Sequence, residues 1–130
     1  MIALTAMVQQ ANHPLPPAFQ LDEYRIEQQL SLGGFSIVYV AIDSQGTRVA
    51  IKEYLPNTLA LRGEGRTAPV IAEDHLPAFR YGMKCFFEEG RALAGLSHPN
   101  VIRVLNFFRA NETVYMVMEY EHGRTLQELI

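Results

Sequence analysis

The sequence predicts an α+β fold, a five-stranded antiparallel sheet carrying one long helix. Three observations lead there. Between residues 24 and 55 lie three short runs rich in β-branched and aromatic residues, separated by gaps of turn length. Residues 76–96 carry a single apolar stripe at helical spacing, and two more strand-like runs follow at 101–109 and 114–120. A length of 130 residues supports one domain with a real core.

Bulk composition excludes several function classes. A net charge of −3 leaves no basic footprint for nucleic acid and no polybasic segment for an anionic membrane. The single cysteine, Cys85, allows no disulfide within the chain and suits a reducing compartment; it reads as a buried structural thiol rather than a reactive one. The N-terminus lacks the basic region and apolar run of a signal peptide, and no stretch of about 18 apolar residues exists. A cytoplasmic segment without membrane contact is the expectation, with an anchor beyond residue 130 left open.

Taken in order, residues 1–20 read as a flexible leader, because Pro14, Pro16 and Pro17 forbid regular structure. The lobe proper is expected over 21–130. Residues 24–30 alternate apolar and polar as a half-buried strand does. A glycine-containing turn at 31–36 leads into a second strand at 37–43. Ser44-Gln45-Gly46 turns the chain into a third strand at 47–55, which Pro56 ends. Residues 56–76, with two glycines and several charges, read as an exposed insertion with room for a short strand at 69–71. The helix is expected at 76–96, its stripe formed by Phe79, Met83, Phe86, Gly90 and Leu93, and it ends before Pro99. A turn at 110–113 joins the last two strands, and 125–130 reads as the opening of another helix.

Lys52 and Glu89 carry the chemical argument. In the third strand Val49 and Ile51 face one way while Ala50 and Lys52 face the other. A lysine in an apolar run needs an anion to offset its desolvation, unless it sits at a sheet edge and reaches water. On the helix, with Phe86 at zero, Glu89 falls near −60° at about 100° per residue and Glu88 near 200°. Glu89 is therefore the carboxylate expected to face the sheet and pair with Lys52, an arrangement that would hold the ammonium ready for a phosphate. Two glycines in the 31–36 turn let backbone N–H groups approach a ligand, although such a turn also serves as a plain hairpin. His13, His75 and His122 show no metal-binding spacing with each other or with Cys85, and His98 reads as a structural loop histidine. Asn111-Glu112-Thr113 matches a glycosylation sequon but falls in a hairpin turn.

The run from Leu30 through Ser31, Leu32, Gly33, Gly34, Phe35 and Ser36 to Tyr39 resembles the glycine-rich loop of protein kinases. Val49-Ala50-Ile51-Lys52 matches that family's lysine strand letter for letter. Residues 87–93 and 96–102 resemble its αC helix and the following loop, and 117–123 the fifth strand and hinge. Together these motifs, in family order, cover 24–130 and identify the chain as similar to the N-terminal lobe of a bacterial Ser/Thr kinase, with the C-terminal lobe absent.

The resemblance implies roles. Leu30, Val38 and Ala50 would sandwich the adenine of ATP, and Ser31, Gly33, Gly34 and Ser36 belong to the loop over its phosphates. Lys52 would hold the α- and β-phosphates, oriented by Glu89. Met118 would close the back of the pocket, and the backbones of Glu119 and Glu121 would meet the adenine edge. The chain departs from the pattern at Ser31 and Ser36, which stand in place of two glycines, and in its long insertion at 56–76. The family's catalytic base and its Mg2+ ligands lie on the C-terminal lobe, so this chain alone is expected to be inactive. Implied partners are its own C-terminal lobe and an unidentified protein substrate. The isolated chain is also expected to be able to form a homodimer through an apolar cleft face (Leu30, Val38, Ala50, Met118 and the amphipathic stub at 126–130). A pseudokinase lobe serving as an interaction module is the alternative.

Overall fold

The computed structural model describes residues 12–94 and 103–120. Its main sheet runs β1 (Gln20–Leu21), β2 (Tyr24–Leu32), β3 (Ser36–Ile42), β4 (Arg48–Tyr54), β8 (Thr113–Glu119) and β7 (Val104–Ala110), all neighbours antiparallel. A two-stranded sheet pairs β5 (Ala60–Leu61) with β6 (Val70–Ile71), and a 3-10 turn at Glu73–His75 leads into helix α1 (Leu76–Ala94). The main sheet therefore has six strands rather than the expected five. The sixth is the short edge strand β1, which pairs Leu21 with Tyr24. The β7–β8 turn has Asn111 and Glu112 at φ 51° and 61°, the left-handed conformation that a tight hairpin of this twist requires.

Residues opposite one another across antiparallel strands share a face. One face carries Val38, Lys52 and Met116 in one row and Val40, Ala50 and Met118 in the next. Helix α1 packs on this face. Phe86 lies 5.6 Å from the Tyr54 ring and 6.0 Å from the Phe107 ring, and Phe79 lies 5.1 Å from Tyr54. Two helix glycines make that approach possible. A Cβ at Gly82 would stand 1.9 Å from the Tyr54 hydroxyl, and one at Gly90 would stand 1.9 Å from the Phe107 ring. Phe79, Phe86 and Gly90 are buried as the stripe predicts, and Met83 is half-buried. Leu93's side chain lies outside the description. Cys85 is exposed, contrary to expectation, because it falls on the helix side away from this stripe.

The opposite face carries Ile37, Glu53 and Tyr115, then Tyr39, Ile51 and Val117. Here the structure corrects the sequence reading twice. Residues 12–20 are not a loose leader: Asn12 and Leu15 are buried. Nor is the insertion exposed throughout, since Ala60 and Arg62 are buried as well. Both segments cover this face because it holds a carboxylate. Glu53 is fully buried, and Arg62 grips it with Nη1 on Oε2 and Nη2 on Oε1, each at 2.7 Å. The Tyr39 hydroxyl donates to Oε1 at 2.6 Å and the Tyr115 hydroxyl to Oε2 at 2.5 Å. Those four bonds use the acceptor capacity of a carboxylate.

Arg62 is satisfied to the same degree. Its Nε donates to the His13 carbonyl, Nη1 also to the Thr67 carbonyl, and Nη2 also to the Tyr39 oxygen. Asn12 closes the structure from the leader side. Its Nδ2 donates to the Leu55 and Ala60 carbonyls, and its Oδ1 accepts the Arg62 backbone N–H at 2.6 Å. The Leu15 N–H donates to the Tyr39 oxygen, and Asn111 Nδ2 donates to that of Tyr115. Among the described residues no buried side-chain polar atom lacks a partner. The sequon is spent structurally: Thr113 is fully buried, and its hydroxyl donates to the Tyr54 carbonyl.

Removing one member of a buried pair strands the other charge. Arg62→Leu is expected to lower stability by about 3–5 kcal/mol in urea unfolding. Glu27→Gln, which breaks the half-exposed pair with Arg48, should cost no more than about 1 kcal/mol. A second expectation concerns alkaline pH. Burial first, and then the Glu53 charge, push the Tyr39 and Tyr115 hydroxyls far above the ordinary tyrosine value of 10.0. The folded state therefore keeps both protons after the unfolded chain has begun to lose them. Their contribution is intact below about pH 10 and declines as pH rises beyond it, so the urea midpoint should fall from pH 8 to about pH 11. Tyr115→Phe should weaken that dependence.

Candidate functional site

β4 presents Lys52 to the helix side of the sheet, between Val38 on β3 and Met116 on β8. The side chain is half-buried, with Nζ 5.9 Å from the centroid of the Phe86 ring. The ion pairs among the described residues are Arg48–Glu27 and Arg62–Glu53, so Lys52 has no described carboxylate within 4.0 Å. Glu89 is exposed, as is Glu88. The expected Lys52–Glu89 pair is thus not formed, and the helix geometry explains why. At about 100° per residue Phe79, Phe86 and Gly90 centre the buried stripe near +20°, with Gly90 pulled in under the Phe107 ring. Glu89, near −60°, lies some 80° from that centre and falls outside the contact.

The glycine turn closes the β2–β3 end of the same face. Past the Ser36–Tyr54 pair the chain turns back with the Gly33 N–H on the Ser36 carbonyl at 3.0 Å. Gly33 and Gly34 are exposed, and neither adopts a positive φ. A Cβ at either would meet nothing closer than 3.4 Å. The fold therefore does not require glycine at these two positions, whereas it does at Gly82 and Gly90. Glycine here leaves the backbone open to something outside the chain.

The remaining site candidates divide. Val38, Ala50 and Met118 are gathered on the Lys52 face by strand register, all buried, while Leu30, Ser31, Ser36 and Glu119 are half-buried around it. The Glu119 N–H is already donated to the Arg103 carbonyl at 2.9 Å. Glu121 and the segment 125–130 lie outside the described residues, as does His98. Because Val38, Ala50 and Met118 are buried, the apolar cleft face expected to drive self-association is smaller than the sequence suggested. A groove of about 500 Å3 between α1 and β7, with Phe107 and Phe108 in its wall, includes neither Lys52 nor the glycine turn.

A phosphate-bearing nucleotide fits what is present: a half-buried cation without a described counter-ion, an apolar platform beside it and an open glycine turn. Among the described residues no group of three or more His, Cys, Asp or Glu could hold a metal ion. The sequence missed the part of the molecule with the strongest polar chemistry, the Glu53–Arg62 cluster. Strand alternation could have found it, for Glu53 follows Val49 and Ile51 on one face.

The protein kinase domain family matches residues 24–130, and the chain belongs to it. Among solved structures, PpkA-294 in its apo form shares 37% identity with a TM-score of 0.80, covering 89% of this chain and 42% of that one. Serine/threonine-protein kinase srk1 of Schizosaccharomyces pombe is 28% identical over 97% of this chain and 20% of its own length. A probable serine/threonine-protein kinase of Clostridium acetobutylicum is 30% identical over 84% of this chain and 14% of its own length. The chain thus spans a fifth or less of these two kinases. Among the described residues no helix is long and apolar enough to cross a membrane.

The two kinds of glycine separate by substitution. Gly90→Ala is expected to cost about 1–3 kcal/mol in urea unfolding, despite alanine's better helix propensity. Gly34→Ala should leave stability within about 0.5 kcal/mol.

Proposed function

We propose that the chain is the nucleotide-binding lobe of a Ser/Thr protein kinase that, in the full-length protein, transfers the γ-phosphate of ATP to protein hydroxyls. The observation that carries this reading is Lys52, a half-buried cation facing no described carboxylate, in the same sheet face as Val38, Ala50 and Met118. Its ammonium would neutralise the α- and β-phosphates, with the N–H groups of the glycine turn above them. Val38 and Ala50 would bound the adenine, Met118 would limit the pocket's depth, and Leu30 would cover its mouth. ATP supplies the activated phosphoryl group, and the Mg2+ ligands and general base are assigned to the family's C-terminal lobe. Glu89 serves only if α1 turns to bring it to Lys52. Its exposure, together with Ser31 and Ser36 in place of two loop glycines, favours a second reading, a pseudokinase lobe used as an interaction module.

Lys52→Met in the full-length protein is expected to reduce ATP-dependent phosphorylation at least about a hundredfold, with the unfolding midpoint little changed. Full phosphorylation by that variant would refute the active-kinase reading, and a wild-type protein that binds ATP without transferring phosphate would establish the pseudokinase one. The 130 residues alone contain neither a His-Arg-Asp nor an Asp-Phe-Gly sequence. They should bind ATP weakly in calorimetry and transfer nothing. Self-association through the cleft face is tested by light scattering across a dilution series with Leu30→Asp, which should abolish any dimer that uses this face.

A further inference from the structure

The glycine turn does not end the β3–β4 ladder. Beyond the Ser36–Tyr54 pair, the Leu55 N–H donates to the Phe35 carbonyl at 3.0 Å, and the Asn57 N–H to the Gly34 carbonyl at 2.8 Å. The Phe35 ring, itself 57% exposed, stands edge-on to Tyr54 at 5.4 Å. The opening residues of the insertion are thus hydrogen-bonded to the turn that the nucleotide reading places over the phosphates.

Those opening residues are themselves held. Leu59 and Ala60 donate their N–H groups to the Pro56 carbonyl at 3.1 and 2.9 Å, closing a turn with Asn57 as its first interior residue. Asn12 fastens that turn at both ends, through the Leu55 and Ala60 carbonyls, and accepts from the Arg62 N–H. Arg62 is fixed in turn by Glu53, the residue that follows Lys52 in the same strand. A continuous run of hydrogen bonds therefore connects the glycine turn to the buried ion pair, through two segments that the sequence marks as loop and leader.

We infer that the insertion and residues 12–15 form a brace that sets the height of the glycine turn over the nucleotide, with the Asn57 N–H and Asn12 as its positioning groups. This rests on the nucleotide reading above. A glycine turn free on both sides samples many heights, and only part of that ensemble aims its N–H groups at phosphate. Fixing one carbonyl row from below reduces the ordering that ligand binding must impose. The brace would raise affinity for ATP without touching it.

The test separates backbone from side chain at one position. Asn57→Pro removes the N–H that Gly34 uses, and proline suits the first interior place of such a turn, where φ is not positive. Asn57→Ala keeps the N–H and removes the side chain. In the full-length protein, Asn57→Pro is expected to raise the KM for ATP at least about threefold relative to Asn57→Ala, with kcat within about twofold. Hydrogen exchange at residues 33–36, measured without nucleotide, should quicken in Asn57→Pro and also in Asn12→Ala, which releases the turn from its other side. Equal KM values and equal exchange in the two Asn57 variants would overturn the brace. Lys52→Met reports on the nucleotide reading separately: if it leaves ATP-dependent phosphorylation intact, that reading fails, while the exchange data still decide whether the brace exists.

Discussion

A carboxylate with no access to water is the constraint around which the rest of this lobe is arranged. Burying Glu53 carries a large desolvation penalty, offset only when every lone pair finds a donor in good geometry. The donors come from four separate stretches of chain: Tyr39 on β3, Arg62 from the insertion, Tyr115 on β8, and, at one remove, the Leu15 N–H on Tyr39. None of these can leave without stranding another. Asn111 shows how far the demand extends. It adopts the left-handed backbone of the β7–β8 turn, and the same residue orients the Tyr115 hydroxyl toward Glu53.

The two faces of the sheet consequently do different work. The Glu53 face is closed and saturated with hydrogen bonds. The Lys52 face sets apolar residues around that lysine, with Arg48 and Arg109 further out on the same face, and is covered by a helix that meets it through aromatic rings. Helix α1 is therefore held by contacts that tolerate rotation better than a bidentate pair would. The seats of Tyr54 on Gly82 and of Phe107 on Gly90, with the Tyr54 hydroxyl donating to the Phe79 carbonyl, set its angle.

Strands and helix were legible in the sequence because their periodicity is local. Lys52's face followed from alternation, and β3, β4, β7 and β8 each fall within a few residues of their expected bounds. The insertion and leader were misread for a physical reason. Their residues are polar and glycine- or proline-rich, so a window of ten residues looks like solvent-exposed loop. Their burial depends on partners such as Asn12 with Ala60, or His13 with Arg62, separated by 48 and 49 residues. The position of Glu89 failed differently. The angular estimate was sound, and Glu89 misses the sheet because Phe107 seats on Gly90, across the stripe's centre from it.

One feature of β4 reaches beyond the site. Lys52 and Glu53 are consecutive, opposite in sign, and point to opposite sides of the sheet. Sliding β4 by a single residue against β3 and β8 would exchange them. Lys52 would then arrive beside the Arg62 guanidinium, two cations in a dry pocket, and Glu53 would meet the negative face of the Phe86 ring. An all-apolar strand such as Val-Ala-Ile-Val would slide at little cost. Two adjacent charges make the strand a key with one orientation, so the alignment that brings the lysine to its face is enforced by the glutamate on the other.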